Sequence, residues 1–155
     1  MSNSHTSTLD RLDEHDGNGS SRRTSRIDHS RLDRDVTHGP RRAVAATGLA
    51  GIALIHMLDL PGKISETPYL GYAYIGLVVA ALVLAEMLLR RDDAKVWAAT
   101  AGLTAAVIAG YVINRTVGMP NATGDIGNWL EPIGLASLAV EGFVLLLAVG
   151  RLTRR

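Results

Sequence analysis

The 155-residue sequence contains no cysteine, one phenylalanine, two tryptophans and four tyrosines, and its net charge is only +1. Without cysteine the chain cannot form disulfides, thiolate metal sites, iron–sulfur clusters, covalently attached haem or a cysteine nucleophile. The first 42 residues also lack alanine, aromatic residues and any apolar run that resembles a secretory signal. That segment nevertheless holds 8 of the 16 basic residues, 7 of the 15 acidic ones and 4 of the 5 histidines, so the rest of the chain is strongly apolar.

Residues 1–42 are predicted to form a disordered polar tail in the cytoplasm, because they hold too few apolar side chains to offset the entropy of ordering. Charges of both signs alternate along this tail, which argues against a nucleic-acid partner. We expect instead that the tail binds a protein partner. Its histidines lie about ten residues apart, without the spacing of metal ligands, and are interpreted as solvated side chains: His5, His15, His29 and His38.

Four apolar windows follow, at residues 43–60, 70–89, 96–113 and 130–150. Each has the length of about 20 residues that a helix needs to cross a hydrocarbon layer of about 30 Å. The separators contain helix breakers, namely Pro61, Gly62 and Pro68, then residues 90–93, then Gly118, Pro120 and Gly124. Short connections make successive helices antiparallel neighbours. Residues 43–155 are therefore predicted to form an all-α, integral membrane, antiparallel four-helix bundle.

Basic residues indicate the orientation of this bundle. Eight of them flank the spans on one side, and only Lys63 and Arg115 flank them on the other. Under the positive-inside rule this bias places both termini in the cytoplasm, which in a bacterium means a multi-pass protein of the inner (plasma) membrane. The lipid bilayer is thus the first expected partner, and the sequence leaves open whether the bundle forms oligomers.

Polar residues at helical spacing predict which faces point inward. On the third helix these are Thr100, Thr104, Tyr111 and Arg115, and on the fourth Gly134, Ser137, Glu141 and Ala148. On the second helix the predicted inward row is Tyr72, Gly76, Val79, Val83 and Glu86, although Glu86 is expected to reach the surface beside Arg90. A midspan carboxyl such as that of Glu141 costs about 2.5 to 3.5 kcal/mol on insertion, so it needs a proton, a partner or water.

A cluster of polar residues is predicted at the outer end of the bundle. It comprises His56, Asp59, Glu66, Arg115 and Glu131, with Asn114, Asp125 and Trp129 nearby. Arg115 is expected to pair with Glu131 or Asp59. Three interpretations remain open for this cluster. It could be a hydrogen-bonded plug that locks the helix ends, a metal site, or a proton or solute path from His56 and the outer carboxylates to Glu141 and then Glu86. Four short helices rich in Ala, Leu and Val leave little room for a cavity unless the chain oligomerises.

The stretches HMLDLPGKISETPYLGYAYIGLVVA (56–80) and NRTVGMPNATGDIGNWLEPIGLASLAVEG (114–142) resemble a group of small four-helix bacterial membrane proteins without an established activity. In that group a histidine ends the first helix, a glutamate follows in the loop, Arg-Thr-Val-Gly-x-Pro follows the third helix and Glu-Pro-x-Gly opens the fourth. The matching positions here are His56, Glu66, 115–120 and 131–134. The resemblance covers residues 43–150 and implies the architecture, but it supplies no reaction, ligand or partner.

Phosphate-binding loops, nucleophile elbows and catalytic triads have no counterpart in the sequence, so nothing specific supports catalysis and no cofactor is expected. The sequence thus favours a non-enzymatic accessory or scaffold protein of the membrane. The alternative is proton-coupled transport or metal handling through the outer cluster and the midspan Glu141.

Overall fold

The computed structural model describes the backbone of residues 20–154 and the side chains of residues 39–154. Four helices make up the described chain: α1 (Ser20–Glu66), α2 (Pro68–Arg90), α3 (Ala94–Thr116) and α4 (Pro132–Leu152). Residues from Gly39 onward form one compact unit, and the description below concerns that unit. Of the predicted disordered tail, residues 1–19 lie outside the described residues.

Each helix is long and apolar enough to cross a membrane, α1 through its segment Gly39–Glu66. The outward surface agrees with this assignment, because large apolar side chains such as Leu58, Leu146 and Val79 are more than half exposed. A water-soluble bundle of this size would bury such side chains. The all-α fold and the multi-pass membrane protein expected from the sequence are therefore confirmed.

The first helix is longer at both ends than the sequence predicts. At its start α1 includes residues 20–42, which the sequence assigned to the tail. Arg42 donates to the Leu88 carbonyl (2.7 Å) and to the Leu89 carbonyl. Arg42 thereby caps carbonyl groups that the end of α2 leaves unpaired. At its other end α1 continues through Pro61 to Glu66, so the predicted break at Leu60 is wrong. Proline removes one N–H and its ring crowds one carbonyl, and the contact of Lys63 with Asp125 at 3.1 Å helps to offset this cost in the turn that follows.

Connections between helices fix the two ends of the bundle. Thr67 alone separates α1 from α2, and Pro68 occupies the first turn of α2, where its missing N–H costs nothing. The α3–α4 loop (117–131) lies against this corner, since Tyr69 Oη donates to the Pro120 carbonyl at 2.7 Å. We call this the loop end. At the opposite end Asp93 caps α3 through the Lys95 amide, and Arg151 of α4 pairs with Asp92 at 3.0 Å.

The apolar core occupies the half of the bundle near the opposite end. Its fully buried members are Ala45, Leu49, Ala81, Leu88, Trp97, Val144 and Ala148. Close approach of α1 to α4 depends on Gly48, where any Cβ would collide with Val144. Trp97 Nε1 donates to Asp92 Oδ1 at 2.7 Å, which satisfies the one polar atom of this large side chain.

The inward faces of α3 and α4 are as predicted, but that of α2 is not. Thr100, Thr104 and Arg115 are buried on α3, as are Ser137, Glu141 and Ala148 on α4. On α2 the predicted row points outward, with Tyr72 72% and Val79 56% exposed. The buried residues of α2 are instead Gly71, Val78, Ala81, Ala85 and Leu88. Small residues mark the packed face of this helix, because lipid tails are as apolar as leucine and hydrophobicity does not separate the two faces.

Candidate functional site

Arg115 organises the loop end of the bundle. Its side chain is only 5% exposed at the last turn of α3. Nη1 contacts Asp125 Oδ1 at 3.0 Å and donates to the Asp125 carbonyl at 3.2 Å, while Nη2 donates to the Glu131 carboxylate. The guanidinium also lies 5.1 Å from the centroid of the Tyr111 ring, which is within cation–π distance. One buried cation thereby ties α3 to the loop and to the start of α4.

Asp125 joins this arrangement to α1. Its Oδ2 accepts from Lys63 Nζ at 3.1 Å and from Asn114 Nδ2 at 2.9 Å. Partial burial opposes ionisation of Asp125, but the hydrogen bonds from Asn114 and Lys63 and the charges of Lys63 and Arg115 outweigh it. They hold the pKa of Asp125 below its usual value. We call Lys63, Asn114, Arg115, Asp125 and Glu131 the rim.

Loop geometry holds Asp125 in place beside Arg115. Gly118 and Gly127 adopt positive φ values of 76° and 79°, a conformation that side chains disfavour. The Gly127 amide then donates to the Arg115 carbonyl at 2.9 Å, which returns the loop to the end of α3. The rim is therefore built from both backbone and side chains.

His56 and Glu141 form a buried pair deeper in the bundle. Glu141 is nine residues beyond Pro132, which places it about 14 Å along α4 from the loop end at 1.5 Å per residue. It is 1% exposed, and its Oε1 accepts from Ser137 Oγ at 2.6 Å. His56 Nε2 lies 3.9 Å from the same oxygen, too far for a direct hydrogen bond.

The hydrogen bond of the other imidazole nitrogen defines the tautomer of His56. Nδ1 lies 2.9 Å from the Ile52 carbonyl one turn earlier, and a carbonyl can only accept, so Nδ1 carries a hydrogen. In the neutral ring Nε2 is then an unprotonated acceptor directed at Glu141. The ring of Tyr74 on α2 packs edge to face against this imidazole, with centroids 4.9 Å apart, and fixes its plane.

A cavity of about 390 Å³ connects the rim to this pair, and all four helices line it. Its upper wall carries the rim residues and Asp59, its floor carries His56 and Glu141, and apolar side chains such as Leu77 and Val107 line the part between. Tyr111 packs against the backbone of Gly134, where a Cβ would lie 2.7 Å from the ring, so a larger residue would push this ring into the cavity. The expectation that a single chain lacks room for a cavity is wrong.

The structure places the predicted site residues in two groups and leaves one outside. Arg115 pairs with Glu131, as expected, and His56 lies beside Glu141 rather than at the rim. Asp59 lies near Tyr74 instead of pairing with Arg115. Glu66 is 71% exposed and reaches only Lys63, at 3.9 Å. Glu86 pairs with Arg90 at 2.5 Å on the surface, as predicted, and takes no part in the cavity.

Two contributors were not assigned to the site from the sequence. Lys63 served only to indicate the orientation of the bundle, and Tyr74 belonged to no predicted polar face or cluster. Their positions depend on the continuation of α1 past Pro61 and on the rotation of α2, neither of which the polar pattern indicated. A usable signal was available for Lys63: in a helix it lies four residues after Asp59 and seven after His56, which puts the three on one face.

Metal ligands do not converge here: in the described part of the chain, no three His, Asp or Glu side chains are grouped to hold an ion. No protein-family model, curated protein or solved structure matches this chain. The resemblance to small four-helix bacterial proteins therefore stays an expectation, and the geometry of the site alone carries the functional argument.

Proposed function

We propose that this protein performs proton-coupled transport, in which the Glu141–His56 pair binds and releases a proton while a small solute occupies the cavity above it. The observation that carries this proposal is the location of the pair at the floor of a cavity that begins at the rim. A buried carboxyl that served packing alone would have no reason to border a cavity of this size.

The pair suits a proton because one hydrogen can be shared between its members. When Glu141 is protonated, its hydroxyl can donate and the unprotonated Nε2 of His56 can accept, and a water molecule or an approach of the two side chains would join them across the 3.9 Å. When the hydrogen moves to Nε2, an imidazolium faces a carboxylate that Ser137 already stabilises. Both states keep the region at zero net charge, which a low-dielectric interior requires.

The finer topology is part of this proposal. Both termini lie in the cytoplasm of a bacterium and the loop end faces outward, as the distribution of basic residues favours. The cavity then exchanges protons and solute with the outer side, and the packed half closes it toward the cytoplasm. A reporter fused after Arg155 that is active only outside the cytoplasm would contradict this orientation.

An accessory or scaffold role, the first expectation from the sequence, depended on a partner for the tail. Residues 1–38 provide no described side chain from which such an interface could be argued, whereas the cavity provides specific contacts. Metal handling loses support because the described His and carboxylate side chains do not converge. Transport is therefore the function that the geometry supports best.

The test is infrared difference spectroscopy of the full-length protein in lipid nanodiscs across a pH titration. We expect a carboxylic-acid C=O band that disappears as pH rises and that is missing in Glu141→Gln. The control is Glu86→Gln, which removes a surface carboxyl at the opposite end and should leave the band intact. An unchanged band in Glu141→Gln would show that another group carries the proton and would overturn the proposal.

A second measurement examines flux directly. Vesicles are reconstituted with the protein and loaded with a pH-sensitive dye. Under an inward proton gradient, their interior should acidify faster when a transported solute is present inside the vesicles. His56→Gln keeps a hydrogen-bonding side chain of similar size but cannot carry the proton, so we expect it to melt near the wild-type temperature and to abolish this flux. Wild-type flux in His56→Gln would contradict the role of the pair.

A further inference from the structure

The charges that line the cavity do not balance. Four carboxyl groups border it, those of Asp59, Asp125, Glu131 and Glu141, against the two cations Lys63 and Arg115. Asp125 and Glu131 take up both cations in ion pairs. Asp59 and Glu141 have no lysine or arginine within 4 Å among the described residues. An uncompensated negative charge in a low-dielectric cavity favours a bound cation or bound protons.

A second and independent observation comes from His56. Its residue is 7% exposed and it lines the cavity floor, yet Nε2 has no hydrogen-bond partner among the described side chains and backbone. Because Nδ1 holds the hydrogen, Nε2 is a hydrogen-bond acceptor that can bind a donor from the cavity. An acceptor that faces a cavity is satisfied by a donor within it, and a ligand with an N–H group can supply one between His56 and Glu141.

The cavity walls between the rim and the floor indicate the chemical character of the rest of that ligand. They are apolar on α2 and α3, with Leu70, Leu77, Leu103 and Val107, and the tyrosine rings of residues 74 and 111 flank them. The volume of about 390 Å³ falls in the usual range for small-molecule sites, about 300 to 1,000 Å³. A hydrated inorganic ion would gain nothing from these walls, whereas an apolar body would be removed from water by them.

We infer that the cavity binds a small organic cation, an amine or amidine with an apolar body, whose N–H groups donate to Glu141 and to His56 Nε2. Binding displaces the proton of the Glu141 carboxyl: the cation enters, one proton leaves to water, and the net charge of the region is unchanged. This inference rests on the proposed function and names its substrate class, with proton and cation competing for one carboxylate.

Other titratable groups around Glu141 are consistent with one exchanged proton. The groups that face the cavity are His56, Asp59 and Lys63 from α1, Tyr74 from α2, Tyr111 and Arg115 from α3, and Asp125 and Glu131 from the α3–α4 loop. Arg115 and Glu131 neutralise each other. Asp59 lies nearer the rim, beside Tyr74, and adds to the attraction of the cation.

The probe is benzamidine, a strong base that remains a cation over the useful pH range, compared with its neutral analogue benzamide and the anion benzoate. Calorimetry on the full-length protein in nanodiscs should detect benzamidine alone. Over the pH interval in which the infrared band shows Glu141 to be protonated, the apparent Kd of benzamidine should decrease about tenfold for each unit by which the pH rises. This is the slope for one displaced proton. Glu141→Gln should abolish this slope and weaken binding about tenfold or more, as expected for one charge-assisted hydrogen bond.

Two variants separate the inference from a folding defect and from the proposed function. Asp59→Asn should weaken benzamidine several-fold but keep the pH slope, and Glu86→Gln should change neither. Benzoate or benzamide binding as tightly as benzamidine would overturn the inference, as would a Kd independent of pH. If the Glu141 infrared band titrates but benzamidine does not bind, the proton site stands and the organic cation is wrong. If the band is missing, the proposed function fails first.

Discussion

The two halves of the bundle use the same four helices for different purposes. Near the opposite end, small residues let the helices approach closely, and Leu49, Leu88, Trp97 and Val144 are fully buried. Near the loop end the helices enclose a cavity, and the buried residues include His56, Arg115 and Glu141. The two polar threonines between the halves, Thr100 and Thr104, donate to carbonyls of their own helix and need no partner elsewhere. Packing and polar chemistry are thus separated by depth along each helix.

This separation explains how buried charge is tolerated. Each ionisable group of the loop half acts on a neighbour in the same half, and the apolar half supplies the interhelical contacts that hold the bundle while the cavity stays open. A substitution that disrupts one half should therefore leave the properties of the other half near their wild-type values.

Arg115→Gln should cause the largest loss of stability. It would leave Glu131 without its cation and Asp125 with Lys63 alone, and removal of one member of a buried ion pair costs about 3 to 5 kcal/mol. The measurement is the free energy of unfolding in mixed micelles by denaturing detergent. Arg90→Gln removes an arginine from an exposed pair and serves as the control, with an expected loss under about 1 kcal/mol. Equal losses in the two variants would show that the rim is no more than surface charge.

Gly48→Ala should cost about 1 to 3 kcal/mol, because the added methyl group collides with Val144 and forces α1 away from α4. The matched control is Gly102→Ala on α3, where nothing lies within 4 Å of the added carbon and alanine is the better helix former. Benzamidine binding by folded Gly48→Ala should remain near the wild-type value, because the collision lies in the packed half. A larger effect on binding than on unfolding would show that the halves are coupled.

The sequence was sufficient for the features that depend on polar spacing. Thr100, Thr104 and Arg115 recur at intervals of four and eleven residues, and antiparallel connection brings Glu131 to the depth of Arg115. It was insufficient where lipid and protein interior look alike: nothing polar distinguished the Gly71–Ala85 face of α2 from the Tyr72–Val83 face. It also failed at Pro61, because the contact that holds the helix beyond it, Lys63 Nζ with Asp125, joins groups distant in sequence. These two errors explain why the cavity was not predicted, because Tyr74 and Lys63 reach it only when α2 is rotated and α1 is extended.

Asp125 should make the stability of the loop half depend on acidity. Its pKa is lower in the folded protein than the usual 3.8, so the unfolded state binds more protons between the two values. The stabilisation is fully present above about pH 4 and is lost as pH falls through the lower folded value. In Asp125→Asn the free energy of unfolding should start lower and decline less between pH 4 and pH 2. Parallel curves for wild type and Asp125→Asn would show that Asp125 is not the responsible group.

Glu86→Gln should have the smallest effect, below about 0.5 kcal/mol, the range of an i,i+4 pair on a helix surface. The Glu86 and Arg90 side chains are 55% and 76% exposed, so water already solvates both charges and little is lost when one is neutralised. The same chemical change at Glu141 removes a carboxyl that is 1% exposed. There we expect unfolding in detergent to be unchanged or more difficult, because an amide needs no proton to stay neutral, while proton exchange is lost. Stability therefore distinguishes Glu86 from Glu141 less sharply than proton exchange does. If Glu141 had only a structural role, Glu141→Gln would instead lower the free energy of unfolding and leave proton exchange unchanged.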